Sequence, residues 1–132
     1  MLLISLTMFS QKIDKIYDNN IVNIGISDKY DLSIMFADRF YKRMYGCIEY
    51  NFNTKSYRES FLGGIGIGSN KCVALAKGGV SYTRNENNEL IGKFDYGLEY
   101  LWLLNTKKKI TLCYGMAYTK YSGVQLKLGT SF

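Results

Sequence analysis

The chain has 132 residues, of which 47% are hydrophobic and 21% charged, with 13 glycines, 12 tyrosines and no proline. That length holds one core and not two, and the composition is too apolar for a disordered tail. The net charge is +6 and there is no histidine, which excludes within this chain a Ser-His-Asp triad, a Cys-His dyad, a His-bearing zinc site and a histidine pH switch.

Residues 1–10, MLLISLTMFS, are apolar and uncharged. They have the length of a signal-peptide h-region, and a signal-peptide remnant is expected there although a basic n-region is missing. A first strand is the alternative. Residues 11–18 form a polar segment, and 19–132 are expected to be a single β domain. Nowhere do 18 consecutive apolar residues occur, so no transmembrane helix is expected.

From Asn19 onward, eight alternating runs are separated by polar clusters. They are Asn19–Ile26, Tyr30–Ala37, Tyr41–Phe52, Phe61–Gly68, Cys72–Thr83, Leu90–Leu103, Lys109–Thr119 and Val124–Phe132. Period-2 alternation broken by turn residues predicts an antiparallel meander. The one basic run, Lys107-Lys108-Lys109, falls between two apolar segments and reads as a turn. No basic helix or stripe supports nucleic-acid binding.

Two places are open. Leu32, Phe36, Phe40 and Met44 recur every fourth residue, so a helix over 31–44 competes with two strands. In the fifth run Val73 and Leu75 have one parity and Val80 and Tyr82 the other, and a β-bulge at Gly78-Gly79 would restore the phase. Cys47, Cys72 and Cys113 are too scattered for a C-x-x-C motif. They are expected to be packing residues, with one disulfide possible in an oxidising compartment.

Residue size decides which face meets water. In the sixth run Leu90, Phe94, Tyr96, Leu98, Tyr100 and Trp102 share one face, and the seventh and eighth runs show the same bulky set. The opposite faces carry mainly Gly, Ala, Ser, Thr and Cys with a few charges. A water-facing surface carries long charged side chains instead, and glycine weakens a strand unless space is short. The pattern therefore predicts an inside-out barrel with small residues within and bulky ones toward lipid. Tyr50, Phe52, Tyr100, Trp102 and Tyr118, with Phe132, lie near run ends and suit interfacial aromatic girdles.

The last ten residues, GVQLKLGTSF, alternate and stop on an aromatic. They resemble the C-terminal strand of bacterial outer-membrane β-barrel proteins. Val124, Leu126, Leu128 and Phe132 match that membrane-insertion signal, and Thr130 departs from it. With the eight runs, residues 11–132 resemble a small eight-stranded member of this group. The resemblance implies an all-β, antiparallel, up-and-down transmembrane barrel in the outer membrane. It also implies contact with the lipid bilayer, insertion by the barrel-assembly machinery and a monomeric state, while contact of Lys55 and Arg58 with lipopolysaccharide phosphates is an expectation that rests only on the +6 charge.

Arg43, Glu49, Lys93, Asp95, Glu99 and Lys127 have inward parity and are expected to form an interior polar network. Asp95 and Glu99 would stand about 13 Å apart along the strand, too far for a glycosidase-like carboxylate pair. Gly63–Gly68 has G-x-G spacings but no following helix pattern, so these read as packing glycines. Lys55, Arg58 and Glu59 read as solvated loop tips. No catalytic, cofactor or metal residues are expected. The leading reading is a non-enzymatic outer-membrane barrel: an anchor, surface-interaction or envelope-integrity protein. A soluble or periplasmic barrel holding an apolar ligand is the alternative. A lipid-active enzyme working without histidine ranks third.

Overall fold

The computed structural model describes residues 20–69, 71–104 and 110–132. These form eight strands: β1 (Asn20–Ser27), β2 (Asp31–Tyr41), β3 (Met44–Asn53), β4 (Glu59–Gly68), β5 (Cys72–Arg84), β6 (Leu90–Leu103), β7 (Thr111–Thr119) and β8 (Gly123–Ser131). Each pairs antiparallel with the next, and β1 closes on β8, from Ile21 opposite Ser131 to Ser27 opposite Gln125. The fold is a closed meander barrel, as the run pattern predicts. Closure pairs the two edges an open sheet would leave bare. The expected signal segment 1–10, the polar segment 11–18 and the Lys107–Lys109 turn lie outside the described residues.

The helix over 31–44 is not adopted. Leu32, Phe36, Phe40 and Met44 are all exposed on the barrel's outer face, in β2 and at the start of β3. A spacing of four is common to a helix face and to a strand face, and Ile34, also exposed, belongs only to the second. The turn between them needs no Gly or Asn because Lys42 takes the left-handed conformation at φ 43°. Tyr30, Tyr57 and Asn88 do the same in other connections.

The expected bulge at Gly78-Gly79 is also absent. β5 stays in register with β4 from Gly68 opposite Val73 to Glu59 opposite Tyr82, and with β6 from Cys72 to Arg84. The phase change reflects a gradient inside the barrel. Toward the end where the termini meet, the interior is apolar: Ile21, Met35, Ala37, Tyr45, Cys47, Val73, Leu75, Leu101, Leu103 and Cys113 form one buried cluster. Toward the other end the buried residues are polar, including Asn51, Asn53, Ser60, Ser81, Thr119 and Gln125. Val73 and Leu75 therefore point inward with no slip. The three cysteines are free.

The interior is tight. A Cβ on Gly66 would sit 2.0 Å from the Ala74 carbonyl oxygen, and one on Gly115 would sit 2.0 Å from that of Tyr100. These glycines let neighbouring backbones approach.

One strand outruns its neighbour. β6 pairs with β5 along its whole length up to Leu90 opposite Arg84, but with β7 only from Gly97 onward. Leu90 through Asp95 rise beside the β7–β8 turn as half of a two-stranded ribbon.

Candidate functional site

Four charged side chains from four strands meet inside the barrel: Glu49 on β3, Lys77 on β5, Glu99 on β6 and Lys127 on β8. Lys77 Nζ stands 2.5 Å from Glu49 Oε2 and 2.5 Å from Glu99 Oε2. Lys127 Nζ is 2.9 Å from Glu49 Oε2 and 3.9 Å from Glu99 Oε2. All four side chains are fully shielded from solvent. Two carboxylates face two ammoniums, so the cluster is neutral, as buried charge requires.

The remaining valences are filled by neutral groups. Lys127 donates to Ser33 Oγ at 2.6 Å. Asn23 donates to Glu99 Oε1 and Asn51 to Glu49 Oε1, both at 2.9 Å. Gln125 in turn donates to Asn51 Oδ1 at 2.9 Å. Ion pairs and neutral donors together bridge β1, β2, β3, β5, β6 and β8 across the barrel.

Glycines make room for the two lysines. Lys77 lies opposite Gly64 on β4 and Gly97 on β6. Lys127 lies opposite Gly25 on β1 and Gly115 on β7. A Cβ on Gly25 would meet Lys127 Cδ at 2.6 Å, and one on Gly64 would meet Lys77 Cγ at 3.0 Å. Each long side chain crosses the lumen over a gap left by its two neighbours.

Not every residue expected in this network is there. Glu49, Glu99 and Lys127 join it. Asp95 is buried but sits higher, taking the Tyr96 N–H on Oδ1 at 2.9 Å while Oδ2 has no hydrogen-bond partner among the described residues. Arg43 is exposed in the β2–β3 turn, and Lys93 is exposed on the part of β6 that outruns β7. Parity gave both an inward side, but neither is enclosed by the barrel wall. Lys77 was missed for the opposite reason. With a bulge at Gly78-Gly79, Val73, Leu75 and Lys77 would share the outer face of Val80 and Tyr82, whereas the unbroken register turns all three inward.

The loop end is closed by an arginine. Arg58 was expected to be a solvated tip, yet it turns inward and donates to both oxygens of buried Asp31 at 2.9 and 3.0 Å and to the Tyr121 carbonyl at 3.0 Å. It ties the β1–β2, β3–β4 and β7–β8 connections together. Glu59 stays exposed and accepts from Tyr50 Oη at 3.1 Å, and Lys55 Nζ lies 3.5 Å from the Tyr30 ring centre.

The outside is apolar. Ile24 and Ile26, Ile34 and Phe36, Ile48, Ile65 and Ile67, Val80, Leu98, Met116, Leu126 and Leu128 supply outward exposed side chains from all eight strands. Leu126 and Ile48 each have 67% of their surface exposed. Toward the termini Tyr100, Trp102 and Tyr114 form a contiguous aromatic group, with Trp102 stacked on Tyr114 at 5.6 Å. Toward the loop end lie Tyr50, packed on Phe61 at 5.0 Å, Phe52 beside Tyr57, and Tyr118 one residue before the end of β7. Val124, Leu126, Leu128 and Phe132 all face outward and are exposed, and Phe132 exchanges two 2.9 Å backbone bonds with Asn20.

Among the described residues no group of three or more His, Cys, Asp or Glu could hold a metal ion. The bulky residues line the outside, and the lumen is filled by the apolar cluster at one level and the ionic cluster at the next.

No protein-family model and no curated protein matches the chain. Among solved structures it is similar to one described as a de novo design of transmembrane beta-barrels, with a TM-score of 0.52 and 15% identity over 90% of this chain and 97% of the other. The solution NMR structure of the de novo designed TMB2.3 aligns at a TM-score of 0.49 with 16% identity, covering 87% of this chain and 93% of that one. At 15% identity the first likeness is one of fold alone.

Proposed function

We propose that the chain is an integral outer-membrane β-barrel without enzymatic activity, acting as a membrane anchor, surface-interaction or envelope-integrity component. The observation that carries this reading is the inverted distribution of polarity. Every strand presents large apolar side chains to the outside, while the charged residues at mid-barrel face inward and neutralise one another. Water would reject such an exterior, which far exceeds the apolar patch of an ordinary soluble monomer. A bilayer accepts it.

Strand lengths support the reading. They run from 8 to 14 residues, and a tilted transmembrane strand needs roughly 9–11. The aromatic groups near both ends fit head-group belts. The outer membrane in particular is favoured by the outward row of Val124, Leu126, Leu128 and Phe132 along and just beyond β8, which suits insertion by the barrel-assembly machinery. The interior favours a side-chain-filled barrel over a wide, porin-like channel, because the apolar cluster and the ionic cluster occupy successive levels of the lumen. The expected partners are bilayer lipids, with lipopolysaccharide phosphates as a second contact at Lys55 and neighbouring loop residues, and a monomer is expected.

The test is detergent-dependent folding. Full-length chain is diluted from denaturant into micelles or plain buffer, then followed by far-UV circular dichroism and by gel mobility with and without heating. A β spectrum and a heat-sensitive mobility shift in micelles alone support the proposal. A monodisperse β protein in plain buffer overturns it and returns attention to the soluble alternative.

A further inference from the structure

Among the described residues, the longest stretch of strand left without a neighbour on one side is in β6. Leu90 through Tyr96 of β6 pair with β5 on one side and have no strand partner among the described residues on the other, because the β6–β7 ladder begins at Gly97. The direction of the free groups follows from their neighbours. Leu103 N donates to Lys71 O on the β5 side, whereas Leu104 N donates to Leu112 O and Tyr96 O accepts from Lys120 N, both on the β7 side. Even-numbered residues of β6 therefore aim both backbone groups away from β5. The Lys120 backbone N–H donates to the Tyr96 carbonyl, and the Tyr96 N–H donates to Asp95 Oδ1. Among the described residues, no such strand lies beside the N–H and C=O groups of Gly92 and Phe94.

This stretch is exposed on both faces. Leu90, Ile91, Gly92, Lys93 and Phe94 are all accessible, with Leu90 at 62% and Phe94 at 66%. Leu90 and Phe94 line its outer side and Ile91 and Lys93 its inner side. Native barrels ordinarily shorten or cover such an edge. Here an apolar edge is held out beside the β7–β8 turn.

We propose that this edge is a docking site for an extended segment of another protein, which pairs antiparallel to β6 as an added strand. Strand addition draws its affinity from backbone hydrogen bonds and its specificity from alternate side chains. The occupant has apolar residues beside Leu90 and Phe94 and a carboxylate beside Lys93. Lys93 lies within the free stretch and Lys120 flanks its lower end, while the ribbon's own carboxylates Glu86 and Glu89 lie at the tip. The choice of occupant, though not the open edge, rests on the membrane reading. Two copies inserted the same way up run their β6 strands in the same direction, so an antiparallel ladder between them would require one copy to be inverted.

The experiment uses full-length protein folded in micelles and a dye-labelled peptide of four alternating Val-Glu pairs. Anisotropy measures binding, and amide hydrogen exchange locates it. Slowed exchange at Gly92 and Phe94, with β1–β4 unchanged, is the expected result. Phe94→Pro removes an N–H that β5 does not use, so the barrel persists while the peptide binds about tenfold more weakly. Lys93→Glu weakens it in the same direction, and a Val-Lys peptide binds Lys93→Glu better than the parent. Undiminished binding to Phe94→Pro, or protection elsewhere, overturns the proposal. A chemically cross-linked dimer that Phe94→Pro abolishes would make a second copy the occupant, overturning the partner assigned here. Failure of the chain to need detergent would refute the membrane reading separately, since the peptide assay then runs in buffer.

Discussion

Lys77 and Glu99 meet at 2.5 Å without being cross-strand partners. Lys77 stands opposite Gly97, and Glu99 opposite Leu75. The contact runs diagonally across the β5–β6 ladder, through space that Gly97 leaves open, and it continues to Glu49 on the far side. Lys77 is thus the shared cation of two buried carboxylates.

Removing that cation leaves Glu99 with Lys127 at 3.9 Å as its nearest positive charge. Lys77→Met is expected to cost about 3–5 kcal/mol, the usual consequence of breaking a buried pair from one side. Lys77→Met combined with Glu99→Gln restores neutrality and is expected to recover much of the loss. Urea titrations of the micelle-folded protein give both values. A single variant as stable as the parent would refute the ionic account of the interior.

Gly115 bears on the same cluster from the opposite wall, facing Lys127. Its added Cβ would lie 2.0 Å from the Tyr100 carbonyl oxygen. Gly115→Ala is expected to cost about 1–3 kcal/mol through forced separation of β6 and β7. The same change at Gly46, where the nearest side-chain atom is 3.7 Å away, is expected to cost less. Comparing the two unfolding midpoints checks the narrow-lumen argument.

At the loop end, Arg58 holds Asp31 with two hydrogen bonds and is only 14% exposed. Arg58→Gln is expected to lose about 2 kcal/mol of local stability, the scale of hydrogen bonds to a charged group. Amide exchange should quicken in the β1–β2 and β7–β8 connections and leave the apolar level around Leu101 unchanged. Uniform acceleration over the whole barrel would instead mark a global role.

The outer face offers a test of a different kind. Ile65 is 63% exposed on β4, opposite Gly46 and Ala76. In water, Ile65→Lys would be harmless. In a bilayer it is expected to cost about 2–4 kcal/mol if it lies near the midplane and less toward either rim. Folding yields in vesicles, for Lys placed in turn at Ile65, Leu128 and Val124, report this depth profile.

Strand number, order and facing were legible because the side-chain period is two and the bulky residues keep one phase from β6 to β8. What escaped reading has definable causes. The fours of Leu32, Phe36, Phe40 and Met44 fit both a helix and a strand face, and Ile34 alone separates them. Lys77 was hidden because the lumen changes from apolar to polar along β5, which mimics a slip in phase at Gly78-Gly79. Arg43 and Lys93 show that parity gives a side but not a height: one lies in a turn and the other beyond the end of the β6–β7 ladder. Arg58 folds inward through its contact with Asp31, 27 residues earlier in sequence, which no local pattern could report.

The central claim, that this barrel sits in lipid with its bulky face outward, is tested most directly through Trp102. It is the chain's single tryptophan, and it lies on the outer face between Tyr100 and Tyr114. Full-length protein is folded into vesicles whose acyl chains carry bromine at a series of depths, and the tryptophan emission is recorded. The account predicts strong quenching that is greatest for bromines near the head groups, where an aromatic belt sits. Emission unaffected by bromine at any depth would place Trp102 outside the bilayer and contradict the account.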